Sequence, residues 1–266
     1  MGIKIKIFSC IMNMIYSISV MATNFEEKGI MFNIISIKKL EVEVVQKSSS
    51  YTGRIVIPEK VTFDGKQFRV IAIGECAFKD CKDLTSIELG DIKIIGDEAF
   101  SGCIGMSSID FKDVIAIGES AFKDCKKLTT INFNKLQIIG NRAFEGCENL
   151  TSIDLKDVSI IGDEAFKDCI GLISVNFKKV SDIGDEAFKD CIKLTSIDLG
   201  EVQIIEKGAF SGCKSLASVT LNNVRIIRKN AFKNCPQLNS IDVTKVKIIE
   251  KDAFNDCIIL TTNNKK

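Results

Sequence analysis

The feature that most constrains this chain is a period of 22 residues. The core Ala-Phe-x-x-Cys recurs with phenylalanine at Phe78, Phe100, Phe122, Phe144, Phe166, Phe188, Phe210, Phe232 and Phe254. Cysteine follows each of them three positions later, at Cys81, Cys103, Cys125, Cys147, Cys169, Cys191, Cys213, Cys235 and Cys257. A single globular core gives no reason to keep one interval nine times. A stack of equivalent units, each burying its neighbour's apolar face, requires it.

Inside one repeat two patterns alternate. Leu150-Thr151-Ser152-Ile153-Asp154-Leu155 reads as a strand with Leu150, Ile153 and Leu155 turned inward. Val158, Ile160 and Ile161 then carry the chain around the other side, and Gly162 allows a tight turn. Asp163 and Glu164 suit the start of a short helical turn holding Ala165, Phe166 and Cys169 inside. The expected architecture is therefore an α/β solenoid, a right-handed stack of about nine coils with one short strand and one helical turn each. The bulkier helical side is expected to spread and curve it.

Before the repeats the chain changes character twice. Lys4 and Lys6 precede an apolar run ending at Val20-Met21-Ala22, the layout of a secretory signal peptide over residues 1–22. Residues 23–70 carry short β-like runs broken by Ser48-Ser49-Ser50 and by the hairpin signal Asp64-Gly65, an N-terminal cap for a solenoid occupying 71–266. Without residues 1–22, 34 basic side chains face 35 acidic ones. That balance implies no polyanionic partner, and no membrane span is expected in the mature chain.

The consensus Ile-Gly-x-x-Ala-Phe-x-x-Cys-x-x-Leu-x-x-Ile-x-Leu, over roughly residues 71 to 262, resembles the BspA-type leucine-rich repeat family. The cap resembles that family's N-terminal segment through Gly29-Ile30-Met31-Phe32-Asn33-Ile34, Tyr51-Thr52-Gly53, Ile57-Pro58 and Val61 to Gly65. The repeat is one residue shorter than the commonest form, and the usual proline after the strand is Lys, Gly, Asn or Thr. The resemblance implies a leucine-rich-repeat protein that is secreted or exposed on a cell surface, with adhesion to host matrix or cell-surface proteins as its work.

Several chemistries are excluded or unsupported. Histidine is absent, removing imidazole catalysis and His metal sites, and no Cys-x-x-Cys pair suggests zinc. Neither a cofactor nor catalysis is expected, because repeated Ser and Asp give periodicity where an active site needs one unrepeated constellation. The nine repeat cysteines read as a ladder of buried thiols, with disulfides between coils the alternative that export would permit. The nine repeat phenylalanines read as core. With every other phenylalanine placed in the cap, in the leader or at inward strand positions, the repeat surface has no phenylalanine platform for bases or sugars, and no basic stripe suits nucleic acid. Asn149-Leu150-Thr151 matches a glycosylation sequon but overlaps a core strand.

Two outward columns of the strand face remain as the candidate ligand surface. One is Ser86, Ser108, Thr130, Ser152, Ser174, Ser196, Ser218 and Ser240; the other is Glu88, Asp110, Asn132, Asp154, Asn176, Asp198, Thr220 and Asp242. The expected partner is a protein. The alternative is an exported structural or cell-envelope protein that self-associates through its solenoid, with an uncapped last coil at Ile259 and Leu260 offering an edge.

Overall fold

A computed structural model of the chain describes residues 23–258. The leader read over residues 1–22, and Ile259 and Leu260, lie outside the described residues. The chain forms a β-solenoid of about eight turns of 22 residues. Two parallel ladders run along it. One joins the strand segments Leu84–Glu88, Ser108–Asp110, Thr130–Asn132, Ser152–Asp154, Ser174–Asn176, Ser196–Asp198 and Ser218–Thr220. The other joins the two-residue strands from Ile94–Ile95 to Asp182–Ile183 and resumes at Ile204–Ile205, Ile226–Ile227 and Ile248–Ile249. The ninth Phe phrase lies at the end of the described residues, and the turns number about eight against the nine coils expected.

The first strands extend both ladders. Strands β1 (Asn24–Glu27), β2 (Ile30–Ser36) and β3 (Glu41–Val44) form an antiparallel meander. Its last strand pairs in parallel with β6 (Lys66–Ile73), which also accepts β5 (Lys60–Phe63) through the Asp64-Gly65 turn and continues into the Ile94–Ile95 ladder. Strand β4 (Gly53–Val56) is the terminal strand of the other sheet, against Leu84–Glu88. Tyr51 lies across the first repeat ring, 4.5 Å from Phe78 between centroids.

The helical turn expected in each coil is not there, and among the described residues no helix occurs. Two residues of every Phe phrase sit in the left-handed region, as at Glu164 (φ 56°) and Asp168 (φ 58°), and these interrupt any helical run. Alternate amides donate to the following coil and not back along their own turn: Glu164 N to Asp185 O at 2.8 Å, Phe166 N to Ala187 O at 2.7 Å, Asp168 N to Lys189 O at 2.9 Å. The acidic residues read as helix starters occupy turns. Asp, Asn and Gly alternate at the second left-handed position (Asp80, Gly102, Asp124, Gly146, Asp168, Asp190, Gly212, Asn234, Asp256), the residue types that tolerate it best. Without a helical flank, the premise for a strongly splayed outer side disappears. The Phe rings stack at 5.0–5.6 Å between centroids, close to the ~4.8 Å spacing of paired strands.

Core and spacing have one origin. Phe78 through Phe232 are buried, Phe254 near the end of the described residues is partly buried, and Ala, Cys and the inward Leu and Ile positions close around them. At the corner before each phrase the coils nearly touch: a Cβ on Gly184 would lie 2.4–2.6 Å from Asp163 and Gly162. Glycine holds this position at 74, 96, 118, 140, 162 and 184, but Glu206, Arg228 and Glu250 hold it in the last three coils. The first coil with a side chain there cannot approach as its predecessors do. Between Asp182–Ile183 and Ile204–Ile205 the ladder is interrupted, and it re-forms among the three coils that all carry side chains. Arg228 bridges its neighbours, 3.6 Å from Glu206 and 2.8 Å from Glu250.

Phe166→Ala should lower stability by ~3–5 kcal/mol. Gly162→Ala should lower the melting temperature more than Glu206→Ala, because only the first introduces a Cβ against the preceding coil's backbone. Thermal unfolding checks both, and equal effects of the two corner substitutions would contradict the steric reading of the seam.

Candidate functional site

Parallel pairing places the outward residues of successive strands side by side. Ser86, Ser108, Thr130, Ser152, Ser174, Ser196 and Ser218 pair in one unbroken register. Glu88 pairs with Asp110, Asp110 with Asn132, Asp154 with Asn176 and Asp198 with Thr220. All are exposed except Ser86, which is half-buried. Ser240 and Asp242 are exposed too but belong to no strand, so the ladder does not include them.

The acidic column has a second occupation. Asp110, Asp154 and Asp198 each accept, through Oδ1, the backbone N–H two residues on: Lys112 at 3.1 Å, Lys156 at 3.2 Å and Gly200 at 3.2 Å. Asp242 does the same for Thr244, at 2.9 Å from its N–H and 2.7 Å from its hydroxyl, and these bonds hold its carboxyl below the usual carboxylate range. These are Asx turns that bend the chain out of the strand. Neighbours relieve the charge: Asn176 Nδ2 donates to Asp154 Oδ1 at 2.9 Å and Asn222 Nδ2 to Asp198 Oδ1 at 3.2 Å.

The reading by columns missed two features of this face. Arg54 of β4 occupies the Ser column, opposite Ser86, and pairs with Glu88. Nothing in the repeat pattern could have placed a residue from before the repeats there. Ile173, 47% exposed, interrupts a third column whose Thr129, Thr151 and Thr195 hydroxyls donate to carbonyls of the preceding coil. That substitution was visible in the repeat alignment.

Elsewhere on the coil another column reverses sign. The residue after the corner glycine is Glu75, Asp97, Glu119, Asn141, Asp163 and Asp185, and then Lys207, Lys229 and Lys251. On the same side Arg142 and Lys167 hold the Glu164 carboxyl down at about 2. Asp168 is raised, first by burial and then by the like charge of Asp190 in the next coil.

The cysteines form an interior column. Each Sγ from Cys103 to Cys257 donates to the carbonyl of the Phe 25 residues earlier, at 2.9–3.3 Å. The described cysteines are unpaired. Burial pushes the Cys103 thiol up to about 12 and the deeper ones further. Among the described residues no group of three or more His, Cys, Asp and Glu is placed to hold a metal ion, and no helix is long and apolar enough to cross a membrane.

A family model for the BspA-type leucine-rich repeat region, in six copies, matches residues 51–157 and 137–261. The chain belongs to the BspA-type leucine-rich repeat family. Members share the fold of repeat proteins that are generally non-catalytic and suited to binding. Among solved structures, the leucine-rich repeat protein TpLRR of T. pallidum is 24% identical with a TM-score of 0.54, over 74% of this chain and 82% of that one. The pneumococcal vaccine antigen PcpA is 18% identical with a TM-score of 0.53, over 89% and 80%. Both show likeness of fold. No curated protein is significantly similar to the chain.

In the native protein a thiol reagent should modify half-buried Cys76 and Cys257 first, because access sets the rate. The remaining repeat cysteines should react only on unfolding. A denatured, unreduced sample with fewer than about two free thiols would overturn the thiol ladder.

Proposed function

We propose that this BspA-type repeat protein is an exported or surface-exposed, non-catalytic scaffold that binds a protein ligand, such as a host matrix or cell-surface protein, across its strand face. Residues 1–22 serve as its export signal in this reading. The observation that carries it is the in-register, solvent-exposed ladder from Arg54 to Thr220, eight strands wide. At about 4.8 Å per strand it extends over roughly 34 Å, the span of a macromolecular contact and not of a small ligand. Repeated Ser, Asp and Asn columns offer the same hydrogen-bonding groups at each step, so binding energy accumulates over weak equivalent contacts. PcpA being a vaccine antigen agrees with an exposed location.

One observation favours self-association as a second reading. The last coil exposes Ile248 (51%), Ile249 (46%) and Ile258 (67%) beside the partly buried Phe254. At the opposite end Tyr51 and the β1–β3 meander cover the apolar core of the first repeat, so apolar contact would join two last coils and close as a dimer.

Matrix and surface proteins captured on the full-length chain should bind at least about tenfold less to a Ser108→Lys, Ser152→Lys, Ser196→Lys variant of unchanged melting temperature. Undiminished capture would rule out the strand face as the contact. Concentration-dependent light scattering should fall when Ile248 and Ile249 become Ser. Scattering that is flat in the parent protein would remove the second reading.

A further inference from the structure

A different surface offers a more specific arrangement. Among the described residues strand β4 is the last strand of its sheet, and only one of its sides is paired. Gly53 N donates to Asp83 O and Ile57 N to Glu88 O, both toward Leu84–Glu88. In a parallel strand the main-chain groups alternate sides, so Arg54 and Val56 direct their N–H and C=O away from the ladder. A cleft of about 300 Å³ lies against this edge, with Ile55 and Val56 on one side and the Lys28-Gly29 turn between β1 and β2 on the other.

The cleft is built and it is basic. Of its ten lining residues Lys28, Lys47 and Arg54 are cationic and none is acidic. Lys47 is fixed from two directions, with Nζ 4.6 Å over the Tyr51 ring and donating to Gly29 O at 3.1 Å. Tyr51 is fixed in turn, its hydroxyl accepting from Met31 N at 3.1 Å and donating to Val45 O at 3.2 Å. Glu88 lies nearby but is held by Arg54. Val56, 54% exposed, supplies an apolar contact beside the free main-chain groups.

We infer that the β4 edge and its basic cleft bind an extended acidic peptide segment by strand addition. The main chain of the peptide would continue the sheet beyond β4, and its carboxylates would meet Lys28 and Lys47. Charge chooses this occupant over the chain's own ends. Residues 1–22 contain Lys4 and Lys6 with no Asp or Glu, and residues 259–266 contain Lys265 and Lys266 with none. The proposal does not depend on the strand-face reading, because its contacts are the sheet edge and the β1–β2 turn.

The test uses the full-length chain and a fluorescent peptide of alternating Glu and Val, followed by anisotropy. Saturable binding is expected, at least about tenfold weaker for the Lys28→Glu, Lys47→Glu variant and weakened by salt. A second probe needs no change to the protein: the same peptide with alternate amides N-methylated should lose at least about tenfold, since its edge can no longer pair. No saturation up to about 1 mM, equal binding of a Lys-Val peptide, or undiminished binding of the methylated peptide would each overturn the proposal. Binding that emerges only after residues 1–22 are removed would also overturn it, by assigning the edge to the chain's own N-terminal segment.

Discussion

Adjacent coils meet so closely at one corner that a methyl group has no room between them, and the regularity of the stack rests on that contact. Glycine from position 74 to 184 lets the backbones approach. Alternate amides of each phrase reach the following coil, and those bonds compensate for two left-handed residues per turn. Such residues cost of order 1 kcal/mol or more when they are not glycine, and Glu164 and Arg142 are not. Their conformation persists because it aims the N–H at a partner. The stacked Phe rings and the column of thiols then occupy an interior whose repeat the backbone has already set.

The interruption before Ile204 shows the same constraint from the other side. With Glu206 in the glycine position the corner loosens, and the following coils use Arg228 between two glutamates where the earlier ones use bare backbone contact. Exposed ion pairs of this kind contribute little each. The last three coils are therefore held chiefly by their core and by the hydrogen bonds on the Phe side, which continue across the seam as Phe188 N to Ala209 O at 2.8 Å.

The strand face divides its side chains between building and display. Asp110, Asp154 and Asp198 close the turn leaving each strand through one oxygen, so their presence follows first from the turn. In the proposed reading, recognition on this face would use groups the fold already requires, which suits a broad and additive contact. The cleft at β4 is the contrary case, an unrepeated arrangement of Lys28, Lys47, Tyr51 and a free strand edge, and such singularity suits a defined short ligand.

The sequence by itself determined the period, the solenoid, the inward Phe, Cys, Leu and Ile positions and the two outward columns, because each follows from a spacing counted along the chain. It pointed wrongly to a helical turn, since Asp and Glu before Ala-Phe serve a helix start and a left-handed turn equally well, and the choice lies with hydrogen bonds to residues 21 positions away. Only the tertiary structure decided that Arg54 joins the Ser column, that Ser240 and Asp242 stand off the ladder, and that Lys28 and Lys47 flank a free edge. Those placements depend on how a non-repeating segment docks on a repeating one, and no interval within the sequence encodes it.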